Sequence, residues 1–276
     1  MSESITALIA THVNDKDFKL PVFNPVALEI QKAIHAEAEL SVIEAMILKD
    51  QALATEILRV ANSAFFAGLQ KQQTVQQALV RLGIKRVFSM IMLAAQRQAF
   101  TARQPFLNEV MQKLWQHTAA SAGTCRWIAI KCGYRELAEN AFLAGLLHDL
   151  GSLVVLKVLD EISAAGEVAE LTGPVILEVI ESLHTQYGYK VMQSWELPQQ
   201  YAEIARDHHL GSSDSANVLL QIVRLVDGAC RKVGIGMSHD PELVLEAMPE
   251  AQSLGIKDVH LAEMEIELEE MCEQFE

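Results

Sequence analysis

Apolar residues recur along most of this chain at spacings of three and four, the repeat of an amphipathic helix. Pro25 suits a first helical turn, and Val26, Leu28, Ile30 and Ile34 lean toward helical spacing behind it. The run before it, Leu20 to Asn24, reads as stiff extended chain. A second helix is expected after Leu40, with Ser41 as N-cap and Glu44 completing a capping box. A third follows Asp50 and carries Leu53, Ile57, Leu58 and Ala61 on one face. Asn62 and Ser63 are poor helix residues, because both side chains compete for backbone hydrogen bonds. Asn62 is therefore expected to end or cap this helix and to tie two lobes together. Gly68 breaks the pattern. Thr74 is the expected cap of a helix that stops at Gly83, and another runs from about Ile84 to Ala99.

Arg103-Gln104-Pro105 reads as a joint between lobes. A long helix is predicted from Asn108 to about Lys131, with the small residues Ala119 to Gly123 allowing close packing. Glu136 to Leu147 is apolar almost all round, which marks a buried helix. It runs into His148-Asp149 and then Gly151. Pro174 and Pro198 open two more helices, carrying His184 and His208, the second ending near Gly211. Asn217 to Val226 is strongly apolar and is expected to close at Asp227. Leu261 to Glu276 reads as an acidic amphipathic helix. No alternating strands, repeats or low-complexity stretches interrupt this, so the expected fold class is all-α.

Composition narrows the function. Half of the 276 residues are hydrophobic, enough for a sizeable core. A net charge of -14 argues against nucleic acid as a partner, since phosphate backbones need a basic surface. Cys125, Cys132, Cys230 and Cys272 form no C-x-x-C pair and read as reduced, buried thiols. Met1 to Lys19 has no basic start followed by an apolar stretch, so no signal peptide is expected. No apolar run reads as a membrane span. A cytoplasmic protein with no membrane partner follows as the expectation.

Candidate chemistry lies in polar residues that interrupt apolar helices: His117, His148, Asp149, His184, His208, His209 and Asp227. A single helical histidine is usually a satisfied core or boundary residue. Asp149 among leucines and Asp227 after Leu225-Val226 are different, because a buried, unpaired carboxylate costs several kcal/mol. A metal ion would serve both, and imidazole with carboxylate suits Fe, Mn, Ni and Zn. Adjacent helical residues point about 100° apart, so His148 and Asp149 can face one ion only near a helix end. Gly151 fits such an irregularity.

His117, His148-Asp149 and Asp227, in that order on separate helices, resemble the H…HD…D pattern of the HD superfamily of metal-dependent phosphohydrolases. His184 and His208-His209 resemble the further ligands of its binuclear branch, the HD-GYP cyclic-dinucleotide phosphodiesterases. The blocks LPVFNPVALEI, ILKDQALATEILRVANSAFF, TVQQALVRLGIKRVFSMI, LWQHTAA, AFLAGLLHDLGSLVV, HTQYGYKVMQSWELP and IARDHHL are similar to the HDOD family, the HD-related output domain. That resemblance covers roughly Leu20 to Cys230. It implies an N-terminal segment (1–19), an N-terminal helical lobe (20–102), an HD-like metal-site lobe (105–231) and a C-terminal helical extension (232–276).

By the same resemblance His117, His148, Asp149 and Asp227 surround one ion, and His184, His208 and His209 join Asp149 around a second, with Asp149 bridging. One or two divalent transition-metal ions are implied, Fe or Mn favoured, with Ni and Zn as alternatives. Two features depart from the cyclic-dinucleotide enzymes. Ser152 stands where they carry a lysine, and Tyr187-Gly188-Tyr189-Lys190 stands where they carry Gly-Tyr-Pro. The implied function is a bacterial signalling module with a metal-binding HD-type site, its partner a signalling protein or a small phosphorylated ligand. The alternative is a metal-dependent phosphohydrolase acting on a nucleotide or phosphoester. Lys113, Arg126, Lys190, Arg206 and Arg224 are the cations placed by sequence proximity to clamp a phosphate.

Overall fold

A computed structural model describes residues 4–14, 25–63, 71–168, 171–211 and 216–274. The helices are α1 (Ile5–Asn14), α2 (Pro25–His35), α3 (Leu40–Leu48), α4 (Gln51–Ala61), α5 (Val75–Leu82), α6 (Ile84–Arg97), α7 (Pro105–Lys131) and α8 (Ala138–Leu147). They continue with α9 (Leu150–Ala164), α10 (Gly173–Ser194), α11 (Gln199–Asp207), α12 (Val218–Val233), α13 (Pro249–Ser253) and α14 (Asp258–Gln274). No strand occurs among the described residues. Leu20 to Asn24 and Gly68 lie outside them. The all-α fold class expected from the apolar spacing is the one observed.

The chain forms two compact units, residues 22–99 and residues 1–21 with 100–276. The smaller holds α2 to α6. Asp50 caps α4 by accepting from the Leu53 N–H, and Thr74 with Gln77 forms a full capping box on α5. Ser41 does not cap α3: Leu40 is already helical, Glu39 is the N-cap residue, and no side chain caps that end. The Leu40 side chain is 45% exposed, so burial did not oppose the earlier start. Asn62 ends α4. Its Nδ2 donates to the Leu58 and Gln72 carbonyls, and its Oδ1 accepts from the Gln72 N–H at 2.8 Å. Those bonds fasten α4 to the segment before α5 inside the smaller unit.

In the larger unit α7 is the central post. Its stretch from Thr118 to Thr124 is buried throughout. Because these residues are small, α8 approaches closely. A Cβ added at Gly145 would lie 2.7 Å from the Ser121 carbonyl oxygen. Asp160 of α9 tethers the start of α7, accepting from the Arg103 N–H at 3.0 Å and the Gln104 N–H at 3.1 Å. That supplies the partner which Gln104, as N-cap, does not. The acidic tail packs on α7 and α12 through Leu261, Met264, Leu268 and Met271, all buried at helical spacing. Ion pairs Lys131–Glu263 and Lys232–Glu265 border this face, partly exposed and individually weak.

Four sequence expectations change here. α12 does not close at Asp227 but runs on to Val233, because Gly228, Ala229 and Cys230 stay buried within it. Cys132 and Cys272 are half-buried rather than buried. The polar N-terminal stretch contains α1, held by one fully buried residue, Ile9. Arg135–Ala164 does reach the length and hydropathy of a membrane span, but 89% of its 18-residue apolar window is buried inside the protein, and the helix breaks at His148-Asp149.

Candidate metal centre

All seven predicted site residues belong to the larger unit and converge on one place. His117 comes from the middle of α7, His184 from α10 and Asp227 from α12. His148 and Asp149 form the joint between α8 and α9. His148 is the C-cap of α8 with αR torsions, and Asp149 turns to φ -103°, ψ 17° before α9 begins. The pair thus sits at a helix end, the place where two adjacent residues can face one ion. His208 and His209 follow the last turn of α11, so the ideal-helix offset does not apply to them either.

Asp149 is the centre. Its Oδ2 lies 3.6 Å from His117 Nε2, and its Oδ1 lies 3.7 Å from both His184 Nε2 and His208 Nε2. His117 Nε2 is also 3.6 Å from Asp227 Oδ1 and 3.2 Å from His148 Nε2. His209 is exposed, yet its ring centroid stands 4.1 Å from that of His208 and 5.1 Å from that of His184. One ligand atom from each of His117, His148 and Asp227 fits within 4.8 Å, as does one from each of His184, His208 and His209.

The tautomers follow from the helices. His148 Nδ1 lies 2.7 Å from the Gly145 carbonyl, His184 Nδ1 2.8 Å from Ile180, and His208 Nδ1 2.9 Å from Ala205. A carbonyl only accepts, so each Nδ1 carries the proton and each Nε2 presents a lone pair to the centre. Such an outer hydrogen bond is how metal-ligating histidines are oriented. The Nε2 atoms of His184 and His208 are buried and have no hydrogen-bond partner among the described residues. A lone pair facing a carboxylate at 3.7 Å is repulsive unless a cation lies between. Ligand bonds of about 2.1 Å put two ligands about 3.0–3.5 Å apart at ordinary coordination angles. The donor set and its spacing therefore fit a divalent transition metal.

The electrostatics agree. Burial opposes charge on His117, but Cys230, Asp149 and Asp227 around it outweigh this and push its pKa up to about 10. Burial would raise the Asp149 carboxyl, yet four surrounding imidazoles hold it far below the usual carboxylate range. Burial depresses His148, His209 and, most strongly, His208. The cluster thus keeps His148, His208 and His209 neutral and Asp149 charged, the protonation states that ligation requires, whereas His117 must release a proton before it can ligate.

Two supports were not legible in the sequence. Arg224 of α12 is buried, and its Nη2 donates to the Asp207 carbonyl at 2.7 Å and the Leu210 carbonyl at 2.6 Å. It thereby brackets His208-His209. Behind it Glu250 of α13 lies 3.6 Å from Nη1. Gly236, at φ +118°, lets the loop after α12 pass over His117, where a Cβ would sit 3.3 Å from the imidazole. Of the five cations considered as phosphate clamps, none lines the adjoining cavity. Arg126 pairs with Glu139, Arg206 with Asp207, and Lys190 lies over the Tyr187 ring. Lys113 is exposed on α7. The cation that does line it is Arg231.

Residues 20–210 match the family model of the HDOD domain. A curated protein of Treponema pallidum (strain Nichols) is 27% identical over 214 residues, 74% of this chain and 40% of that protein. The chain thus spans about two fifths of that relative's length. Among solved structures, an HDOD domain protein from Geobacter sulfurreducens superposes with a TM-score of 0.75 at 20% identity, covering 97% of this chain and 96% of that one. A candidate metal-dependent phosphohydrolase from Shewanella amazonensis SB2B gives 0.73 at 21%, covering 99% and 98%. A candidate signal transduction protein from Marinobacter aquaeolei VT8 gives 0.69 at 20%, covering 99% and 65%. At these identities the structures share the fold.

Proposed function

Because the chain belongs to the HDOD domain family, we propose that it is a signalling module built on an HD-type centre for one or two divalent transition-metal ions. The observation that carries this reading is the buried Nε2 atoms of His184 and His208, without a hydrogen-bond partner among the described residues and both 3.7 Å from Asp149. His117, His148, Asp149 and Asp227 hold one ion. His184, His208 and His209 share Asp149 around the second. The mixed imidazole and carboxylate donors favour Fe or Mn over the softer choices. The partner is a signalling protein or a small phosphorylated ligand, and the module works in the cytoplasm.

The cavity favours a second reading, metal-dependent hydrolysis of a phosphoester. About 420 Å³ of space opens onto His117, Asp149, His184, His209 and Asp227, which a purely structural metal would not need. Bound divalent ions supply Lewis acidity toward a phosphoryl oxygen and acidify water. The chain's own contribution would be to hold a carboxylate between imidazoles, to keep His148 and His208 neutral, and to admit ligand from one side.

Elemental analysis of purified protein, with stoichiometry, tests the primary reading. One to two equivalents of transition metal per chain are expected, lost on chelation. A protein that purifies without metal and takes up none of Fe, Mn, Ni or Zn refutes it. Turnover of phosphomonoesters by the loaded protein separates the two readings.

A further inference from the structure

We propose that the exposed face of α5 on one copy of this chain receives the outer face of α14 on a second copy. The proposal is independent of the metal reading above.

Charge is unevenly placed along the chain. Overall, 36 acids stand against 22 Lys and Arg. Yet Ile57 to Ala99 carries six Lys and Arg and no Asp or Glu. Two of the six, Arg59 and Arg97, pair with Glu56. The others gather around α5: Lys71 shortly before it, Arg81 in its last turn, and Lys85 and Arg86 in the first turn of α6. A helix start disfavours cations, so Lys85 and Arg86 do not serve α6 itself. Lys71, Gln76, Gln77, Val80 and Arg81 line a surface depression of about 370 Å³, and Val80 stands 74% exposed within it.

α14 is the reverse. It carries seven acids and no Lys or Arg. Its inner stripe, Leu261, Met264, Leu268 and Met271, is buried, and one apolar stripe is all that a docked helix needs. A second stripe runs along the opposite side. Val259 and Ile266 are each 58% exposed, and Ala262 between them is exposed too. At 3.6 residues per turn this stripe continues into Glu270 and Glu273, with Glu269 beside it, all exposed. Glu263 and Glu265 are taken by Lys131 and Lys232 within the chain. The three outer acids stand at the C-terminal end, where the helix dipole disfavours anions and no basic residue of the last turn offsets them.

The two faces match. Val80 packs against Ala262 and Ile266, and Arg81 and Lys85 lie beside Glu269 and Glu270. Charges that are misplaced for their own helices then compensate one another. A nucleic acid or an anionic membrane would meet the acids of the rest of this chain over a wide surface, whereas one helix presents its acids only at the patch. α5 has eight residues, so the contact is small, and the association is weak and sensitive to salt.

The test is sedimentation of the full chain up to about 200 µM, a range that reports micromolar association. It is run at about 50 mM and about 500 mM salt, on either side of strong screening. Wild type should associate with rising concentration at low salt and on the order of tenfold more weakly at high salt. Lys85→Glu and Glu270→Lys should each weaken association by on the order of tenfold, and the two together should regain most of it. Glu270→Lys is the sharpest arm. It lowers the net negative charge, so association limited only by bulk repulsion would grow. Both positions are exposed, and melting temperatures are compared first. Should either variant melt early, Arg81→Glu with Glu269→Lys repeats the swap. A closed dimer and an open chain of copies both fit, as the contact is reciprocal or one-sided. A monomeric wild type, association unchanged or strengthened by Glu270→Lys, or a swap that recovers nothing overturns the proposal. So does a monomer that binds phosphatidylserine vesicles or duplex DNA through Lys85.

Discussion

Gly151 lies directly against the backbone of His184: a Cβ built on it would overlap the His184 carbonyl oxygen and come within 2.6 Å of the Gly188 nitrogen. This contact sets the distance between α9 and α10, and so between Asp149 and His184. We predict that Gly151→Ala forces the helices apart. The expected cost is about 3 kcal/mol of stability, the upper range for overpacking. Metal at the His184 position should fall more than metal at the His117 position. Chemical denaturation and metal analysis together check this. A variant that melts like wild type and keeps its metal would show that the helices can slide without consequence.

Asp149→Asn should remove both ions and His184→Ala only one. The carboxylate faces four imidazoles, whereas His184 serves one side of the cluster. Because binding free energy adds to folding free energy when the unfolded chain has no site, Asp149→Asn should also abolish the melting-temperature drop that chelator causes in wild type. Full metal occupancy in Asp149→Asn would sink the bridging assignment.

Arg224→Met should loosen the turn that carries His208-His209. It removes both carbonyl contacts and leaves Glu250 buried without its cation. Breaking such a pair costs about 3–5 kcal/mol, and metal affinity should fall by about 10-fold to 100-fold. Arg224→Met/Glu250→Leu should recover much of the stability but not the affinity, because only the arginine touches the turn. Recovery of both would assign Arg224 a purely structural role.

The metal-stripped protein should be most stable near pH 6.5. Burial lowers the pKa of His148, His208 and His209 in the fold. Their stabilisation is present above about 6.5, the unfolded value, and fades as the unfolded chain takes up protons below it. His117, pushed up to about 10, acts in the opposite sense. Its contribution is complete below about 6.5 and is lost as pH rises toward 10. Thermal melts in chelator from about pH 5 to 9 check this. His117→Gln should flatten the alkaline limb alone, and an unchanged limb would reject the assignment.

Asn62→Ala in the smaller unit should cost about 1–3 kcal/mol, because it removes the side-chain amide that bonds the Gln72 N–H and carbonyl. Hydrogen exchange at Gln72 should speed up most. Wild-type protection there in the variant would mean that water replaces the side chain at no cost.

Much of the fold was readable because helix signals are local. The spacing of Leu53, Ile57 and Ala61, the caps at Asp50 and Thr74, and the prolines opening α2 and α10 all act within a few residues, whereas α7 starts at Pro105, three residues before the expected Asn108. Where the reading failed, local signals were ambiguous. Ser41 and Glu39 compete for one helix start, and Asp227 looks like a stop because a lone carboxylate in an apolar helix has no local reason to be there.

The candidate site divides along the same line. The chemical identities of His117, His148, Asp149, His184, His208, His209 and Asp227 stood out in one dimension, because polar groups in apolar helices need an explanation. The sequence by itself therefore determined a helical fold and the donor types of a centre. Only the tertiary structure decided which nitrogen of each ring faces inward, through carbonyls at Gly145, Ile180 and Ala205. It alone placed Arg224 across His208-His209, left Ser152 Oγ without a partner among the described residues, and put Arg231 rather than the five other cations in the cavity. Periodicity reports which face of a helix is buried, but the distance and rotation between helices depend on close approaches such as Gly151 against His184, and those are properties of two chain segments at once.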